Sequence, residues 1–155
     1  MQENTCCFIG HRNINETQEL KNELRKAILD LIAKNNVDTF LFGSKSRFNE
    51  LCYEIVSEIK GTYPHIKRIY VRAEYPDIDD DYKNYLLERY ESSYYPERIK
   101  NSGKAVYIER NFEMINKSQY CVIYYNELKA NNGKSGTELA YHYAINRKRN
   151  IILFK

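Results

Sequence analysis

The chain has 155 residues, 24 of them basic and 21 acidic, and a formal net charge of +3. This length suits one domain, which buries roughly 70% of its unfolded surface, and the charge is too balanced to imply a nucleic-acid surface by itself. No apolar run approaches the ~20 residues of a membrane span and the first four residues lack signal-peptide features, so we predict a cytoplasmic protein without a membrane partner.

In chain order, short apolar runs alternate with segments of helical periodicity. In the first half of the chain this pattern predicts three strands, Thr5 to Ile9, Thr39 to Phe42 and Arg68 to Arg72. It also predicts three helices: Glu16 to Asn35, Arg47 to Lys60 and a tyrosine-rich helix that ends near Tyr90. The second half predicts strand Ala105 to Ile108, helix Asn111 to Lys117, strand Tyr120 to Tyr125, helix 135–147 and strand Asn150 to Phe154. This alternation predicts a single α/β domain over residues 1–155, with a doubly wound, mainly parallel sheet flanked by helices and the first strand at its centre.

The four cysteines follow the same apolar pattern. Cys6, Cys7 and Cys121 lie in strand candidates and Cys52 lies on the apolar stripe of a helix. Their spacing matches neither a zinc site nor a redox motif, so we predict buried thiols, no metal and no cofactor. The adjacent Cys6 and Cys7 are expected to point to opposite faces of their strand.

Glycine and arginine residues stand where the predicted strands end. In a doubly wound sheet, ligands bind at the carboxyl ends of the strands, near the point where strand order reverses. Glycine permits close backbone approach and arginine offers a fork for phosphate. Each arginine alone could be a solvated surface charge, but their convergence favours a ligand site. The candidate residues before the last helix are Gly10, His11, Arg12, Gly43, Ser44, Arg72, Glu109, Arg110 and Asn111.

A further candidate is the turn between the strand ending at Tyr125 and the last helix. It contains Gly133, Ser135, Gly136 and Thr137. Such a turn gathers free backbone N–H groups beside the positive end of the helix dipole, where phosphate binds. The alternative is an ordinary helix start with Ser135 as N-cap.

The segments Thr5–Arg12, Ile108–Asn111 and Ser135–Thr137 give the chain a resemblance to the SLOG superfamily. This Rossmann-like group joins the Lonely Guy phosphoribohydrolases and the DNA-processing protein of bacterial transformation. The chain looks most similar to the YpsA-like branch, whose function is largely unknown. The resemblance covers nearly the whole chain and implies a bacterial or phage protein with a cavity for a nucleotide-derived ligand.

The resemblance does not carry over the hydrolase activity by default. The glutamate of the Lonely Guy motif falls on Ala140, and Glu138 lies two residues earlier, about 200° away around the helix. An oxocarbenium-like transition state needs a carboxylate, so an enzyme would rely on Arg110 with Glu109, Glu138 or Glu74.

Three functions remain open, in this order. The first is a sensor or sequestering protein for a nucleotide or nucleotide-derived small molecule. The second is an N-glycosidic hydrolase acting on a nucleoside 5′-monophosphate or an NAD-derived nucleotide. The third is single-stranded DNA binding, which needs a basic groove with stacking aromatics; because the basic residues are diluted by acids, we predict that nucleic acid is not the partner. We also expect a homo-oligomer.

Overall fold

The computed structural model describes residues 2–100, 103–127 and 136–155. Its six strands form one sheet in the order β4-β3-β2-β1-β5-β6, and every neighbouring pair is parallel. The strands are β1 (Gln2–Gly10), β2 (Thr39–Phe42), β3 (Lys67–Val71), β4 (Ser92–Tyr94), β5 (Ser118–Tyr124) and β6 (Asn150–Phe154). The predicted doubly wound parallel sheet is confirmed.

Five helices cover the sheet on both faces. They are α1 (Gln18–Asn35), α2 (Arg47–Lys60), α3 (Asp80–Arg89), α4 (Ala105–Lys117) and α5 (Gly136–Asn146). The apolar sides of α1, α2 and α3 contribute to one large core cluster and those of α4 and α5 to a second, while Val106 of α4 packs in a third, smaller cluster with Ala73 and Ile99. Within the described ranges, no helix is long and apolar enough to cross a bilayer.

Strand β1 lies inside the sheet between β2 and β5, as predicted. Its side chains alternate between the two cores, with Cys6 and Phe8 on one face and Cys7 and Ile9 on the other. All four cysteines are buried free thiols, which confirms their predicted role as small apolar residues. A strand apolar on both faces is typical of the middle of a parallel sheet.

The segment between residues 90 and 117 differs from the prediction. Residues 105–108 do not form a strand; they are the first turn of α4, which continues to Lys117. A four-residue apolar run fits a strand or a buried helical turn equally well. In the structure the run is helical, and the buried residues Val106, Arg110 and Met114 recur every four positions along one side of the helix. The fourth strand is instead β4, an edge strand of three residues that the sequence analysis missed.

The strand order reverses at β1. The chain builds outward from β1 through β2, β3 and β4, then returns through α4 to place β5 on the other side of β1. Such a reversal opens a crevice at the carboxyl ends of the strands, because the flanking connections leave in opposite directions.

Candidate functional site

A cavity of about 1490 Å³ lies at the carboxyl ends of β1, β2 and β3. It takes residues from the segments after these strands, from α4 and from the first turn of α5, so it occupies the crevice beside the reversal of strand order. Of the residues singled out in the sequence, it is lined by Gly10, His11, Arg12, Gly43, Ser44, Arg72, Arg110, Asn111, Gly136 and Thr137.

The remaining candidates are not among the described residues that line this cavity. Glu109 points elsewhere, since its Oε2 accepts a hydrogen bond of 3.3 Å from the backbone N–H of Lys100. The Oε1 of Glu138 lies 3.9 Å from the Nε2 of His142 on α5. Gly133 and Ser135 lie outside the described residues.

Arg110 is the most unusual residue of the cavity. It occupies a core position on α4, in the same stripe as Val106 and Met114, and is only 4% exposed. Its Nε donates a hydrogen bond of 3.0 Å to the side-chain oxygen of Asn111, and its guanidinium lies 5.8 Å from the ring centre of Tyr107. No ion pair joins Arg110 to a carboxylate in the described part of the chain.

The burial of Arg110 has an electrostatic cost. Loss of solvent lowers the pKa of this guanidinium to about 10, although the nearby Tyr70, Tyr107 and Glu74 act in the opposite direction. A buried cation that faces a cavity without a carboxylate partner is stabilised by an anionic ligand. Arg110 therefore marks this part of the cavity as a candidate anion site.

Two glycines of the site are required by packing. A Cβ at Gly43 would lie 2.5 Å from Cδ of Arg110 and 2.7 Å from the sulfur of Met114, so glycine leaves the passage that Arg110 occupies. A Cβ at Gly10 would lie 2.3 Å from the ring of the fully buried Phe48. Both glycines were expected to allow close approach of a ligand; in the structure each makes room for a neighbouring side chain, Arg110 beside Gly43 and Phe48 beside Gly10.

The other arginines of the cavity differ in how they are held. Arg72 fixes the segment after β3, because its guanidinium donates hydrogen bonds to the carbonyls of Tyr75 and Pro76 at 3.0 and 3.2 Å. Arg12 is exposed and makes no ion pair with the described residues. Arg12 is therefore available to a ligand, whereas Arg72 shapes the wall.

His11 is buried after β1 and accepts a hydrogen bond of 3.0 Å at Nε2 from the backbone N–H of Asn126. The neutral ring that accepts at Nε2 carries its proton on Nδ1. This contact ties the end of β1 to the segment that follows β5, so His11 orients backbone at the base of the cavity.

Glu74 brings negative charge to the cavity wall. Its Oε1 accepts a hydrogen bond of 2.7 Å from the hydroxyl of Tyr107, and this bond raises the pKa of Tyr107. Asp77 and Asp79 line the same side. The cavity thus has a cationic part around Arg110 and an acidic rim on the segment after β3.

Asn49 is a site residue that the sequence analysis missed. It is 3% exposed, accepts a hydrogen bond of 3.3 Å from the N–H of Gly43, and donates one of 3.1 Å to the carbonyl of Phe8. It therefore joins the ends of β1 and β2. The available signal was a polar residue beside Phe48 on the apolar stripe of α2.

We expect Asn49→Ala to lower the free energy of unfolding by about 1–3 kcal/mol, because a buried N–H and a buried carbonyl lose their partner. Urea denaturation of the purified protein measures this difference. Asn84→Ala, at an exposed position of α3, is the matched control and should change stability by no more than about 0.5 kcal/mol. Equal effects of the two variants would contradict the bridging role of Asn49.

Metal ligands do not gather in this site. Among the residues that the structure describes, no group of three or more histidine, cysteine, aspartate or glutamate side chains could hold a metal ion. The described lining instead combines the buried guanidinium of Arg110, the start of α5 at Gly136 and Thr137, and polar side chains, a combination suited to an anion.

These features define a Rossmann-like α/β protein with a cavity at the carboxyl edge of its sheet, where proteins of this fold bind their ligands. No protein-family model matches the sequence, and no curated protein matches it as a relative. Solved structures do resemble it in fold.

The first of these structures is DNA processing protein A from Streptococcus pneumoniae, with a TM-score of 0.63 and 13% identity over 96% of this chain and 49% of that one. The second is DNA processing protein A from Helicobacter pylori, with a TM-score of 0.61 and 17% identity over 97% of this chain and 65% of that one. The chain thus spans about half to two thirds of the neighbours' length, and at this level of identity the likeness shows a shared Rossmann-like fold.

One prediction about partners is wrong. The Helicobacter pylori structure was determined for its mode of binding single-stranded DNA, which contradicts the exclusion of nucleic acid. That exclusion used the net charge of the whole chain, but the cavity gathers four cations at one edge: Arg12, Lys45, Arg72 and Arg110. The three acids among the described residues of this cavity, Glu74, Asp77 and Asp79, lie together on the segment after β3, so a global balance of charges does not describe how charge is distributed within the cavity.

Proposed function

We propose that the protein binds a nucleotide-derived ligand whose phosphate lies against Arg110 and the first turn of α5. The observation that carries this proposal is the burial of Arg110 at the cavity without a carboxylate partner among the described residues. A phosphate would replace the solvent that this guanidinium has lost. Gly136 and Thr137 begin α5 and line the same cavity, where free backbone N–H groups favour an anion.

We further propose that the ligand is bound rather than hydrolysed, as in a sensor or sequestering protein. Ala140 is buried and carries a methyl group at the position of the hydrolase glutamate. Neither Glu109 nor Glu138 is among the described residues that line the cavity. Of the three carboxylates named as catalytic candidates, Glu74 is the one found among the described residues that line the cavity. We also propose that the chain belongs to the YpsA-like branch of the SLOG superfamily, because of the resemblance of the segments Thr5–Arg12, Ile108–Asn111 and Ser135–Thr137.

The decisive experiment incubates purified protein with nucleoside monophosphates and NAD-derived nucleotides and measures binding and base release together. Calorimetry gives the affinity, and chromatography of the supernatant detects free base. Tight binding with the ligand recovered intact supports the proposal. Multiple turnover at an enzyme-like rate would show a hydrolase instead, and no binding of any nucleotide would refute the proposed site.

Glu74→Gln is expected to raise the affinity for a phosphate ligand by about three- to tenfold at low salt, since it removes a negative charge that acts on Arg110. Glutamine keeps an oxygen that accepts the hydrogen bond from Tyr107. Calorimetric titration at low and high salt measures the gain, which salt should reduce. Glu88→Gln, at an exposed position of α3, is the control. If the protein hydrolyses its ligand through Glu74, the same variant loses turnover.

A second candidate function is single-stranded DNA binding. The observation in its favour is the fold of DNA processing protein A from Helicobacter pylori, a protein with a single-stranded DNA binding mode. Fluorescence anisotropy with labelled oligodeoxynucleotides tests it directly. Competition by a free nucleotide for the same protein would place both ligands at one site, and binding of the oligonucleotide alone would favour this second function over the first.

A further inference from the structure

A second recess of about 520 Å³ adjoins the main cavity. The two have six lining residues in common, namely Arg12, Asn13, Ser44, Lys45, Tyr70 and Tyr82. The recess then continues along α3 to Tyr85 and Arg89, which do not line the main cavity. The shared wall places the two spaces side by side, and together they are called the channel below.

The far end of this channel carries an aromatic platform. Tyr82 and Tyr85 lie three residues apart on α3, on the same side of the helix, and their rings are nearly parallel, with centres 6.2 Å apart at 15°. Tyr85 is 49% exposed although it is a large aromatic residue. An exposed aromatic ring next to a basic recess is suited to stack on a nucleobase.

The free positive charges lie between the two ends. Arg12 and Lys45 line both spaces, are exposed and form no ion pair with any described residue. The other two arginines of the recess are already neutralised, since Arg47 pairs with Glu16 and Glu54 and Arg89 pairs with Glu50. The available charge therefore sits at the junction rather than at the platform.

We propose that the ligand has two nucleotide units joined by phosphate. This inference rests on the proposed function: the first phosphate lies at Arg110, the linking phosphate lies at Arg12 and Lys45, and the second base stacks on Tyr85. The main cavity alone exceeds the roughly 300–1,000 Å³ of an ordinary small-molecule site. A pyrophosphate-linked dinucleotide and a 5′-phosphorylated single strand both offer two bases and two phosphates to this channel; the phosphates are adjacent in the first and separated by a nucleoside in the second.

The test compares one-unit with two-unit ligands in both chemical forms. AMP is paired with NAD, in which two nucleotides are joined by pyrophosphate, and deoxyadenosine monophosphate is paired with the 5′-phosphorylated deoxyadenosine dinucleotide. Tyr85→Ala should weaken the two-unit ligands at least about fivefold and leave the one-unit ligands within about twofold. If Tyr85→Ala weakens NAD, the natural ligand is a free dinucleotide; if it weakens the deoxyadenosine dinucleotide, the natural ligand is a strand.

Two variants serve as controls. Tyr85→Phe keeps the ring and should bind as the original protein does, and Leu87→Ala removes another exposed side chain of α3 outside both spaces. Arg89 keeps its bond to Glu50 and its contact with the ring of Tyr53 when Tyr85 is removed, so the fold should survive; circular dichroism checks this.

Two other results of this binding test would contradict the proposal, and they differ in whether the proposed function survives. Equal affinity for one-unit and two-unit ligands, or an equal loss for both in Tyr85→Ala, overturns the second subsite and leaves the proposed function standing. Absence of binding by all four ligands overturns the proposed function and the second subsite together.

Discussion

Replacing Arg110 by methionine is expected to weaken phosphate-ligand binding by about 30-fold or more, since truncating one partner of a buried charge pair costs about 2–5 kcal/mol. Methionine retains much of the apolar stem and removes the guanidinium. Calorimetric titration with AMP or with the ligand recovered from the purified protein measures the loss. Unchanged affinity in this variant would remove Arg110 from the site.

The same variant should not lose stability. The pKa of Arg110, about 10, lies below that of an arginine in the unfolded chain, so the folded state binds this proton less tightly. At neutral pH the charge therefore costs folding free energy, on the order of 3 kcal/mol. Urea denaturation of Arg110→Met is expected to give an equal or higher free energy of unfolding.

Arg110→Met also lowers the net charge of the protein by one, so the control is a variant that removes one positive charge far from the cavity. Arg147 follows the last residue of α5 and is exposed, whereas the first turn of this helix lines the cavity. Eleven residues of helix separate the two ends by roughly 16 Å. Arg147→Met should bind the ligand with about the original affinity.

Gly43→Ala is expected to reduce ligand affinity about tenfold or more, although the substitution adds only one methyl group. The new Cβ would lie 2.5 Å from Cδ of Arg110, so the guanidinium must leave its position. Overpacking against Met114 should also lower the free energy of unfolding by about 1–3 kcal/mol. Affinity is measured by calorimetry and stability by urea denaturation.

The double variant Gly43→Ala with Arg110→Met tests this mechanism. If Gly43 acts through Arg110, the double variant binds no more weakly than Arg110→Met alone, because the two changes remove one interaction. Additive losses would mean that Gly43 contacts the ligand by another route. Gly61→Ala, at the end of α2 away from the cavity, is the control for a glycine replacement.

The regular parts of the fold could be predicted because local signals agreed with tertiary burial. Helix α2 begins after Ser46, whose side chain caps it, and its apolar stripe continues to Ile59, just before its last residue. The limits Arg47 and Lys60 were therefore readable from the sequence. Strand β4 could not be predicted, because its three residues, Ser-Ser-Tyr, show no alternation of apolar and polar residues.

The site could be predicted only in part, for a related reason. Residues at strand ends, such as Arg12 and Gly43, follow from the general position of ligands in doubly wound sheets. The burial of Arg110 became visible only when residues 105–117 proved to be one helix that places it between Val106 and Met114. The bridging role of Asn49 depends on contacts between segments distant in sequence, which no local pattern encodes.

The position of β1 has a consequence for how the chain folds during synthesis. Cys7 in β1 lies beside Cys121 in β5, 114 residues later. Until β5 leaves the ribosome, one edge of β1 has no partner, and an unpaired apolar edge is a template for aggregation. Closing so long a loop is entropically costly and slows folding. The nascent chain is therefore expected to keep this edge of β1 exposed until β5, which ends at Tyr124, has been made.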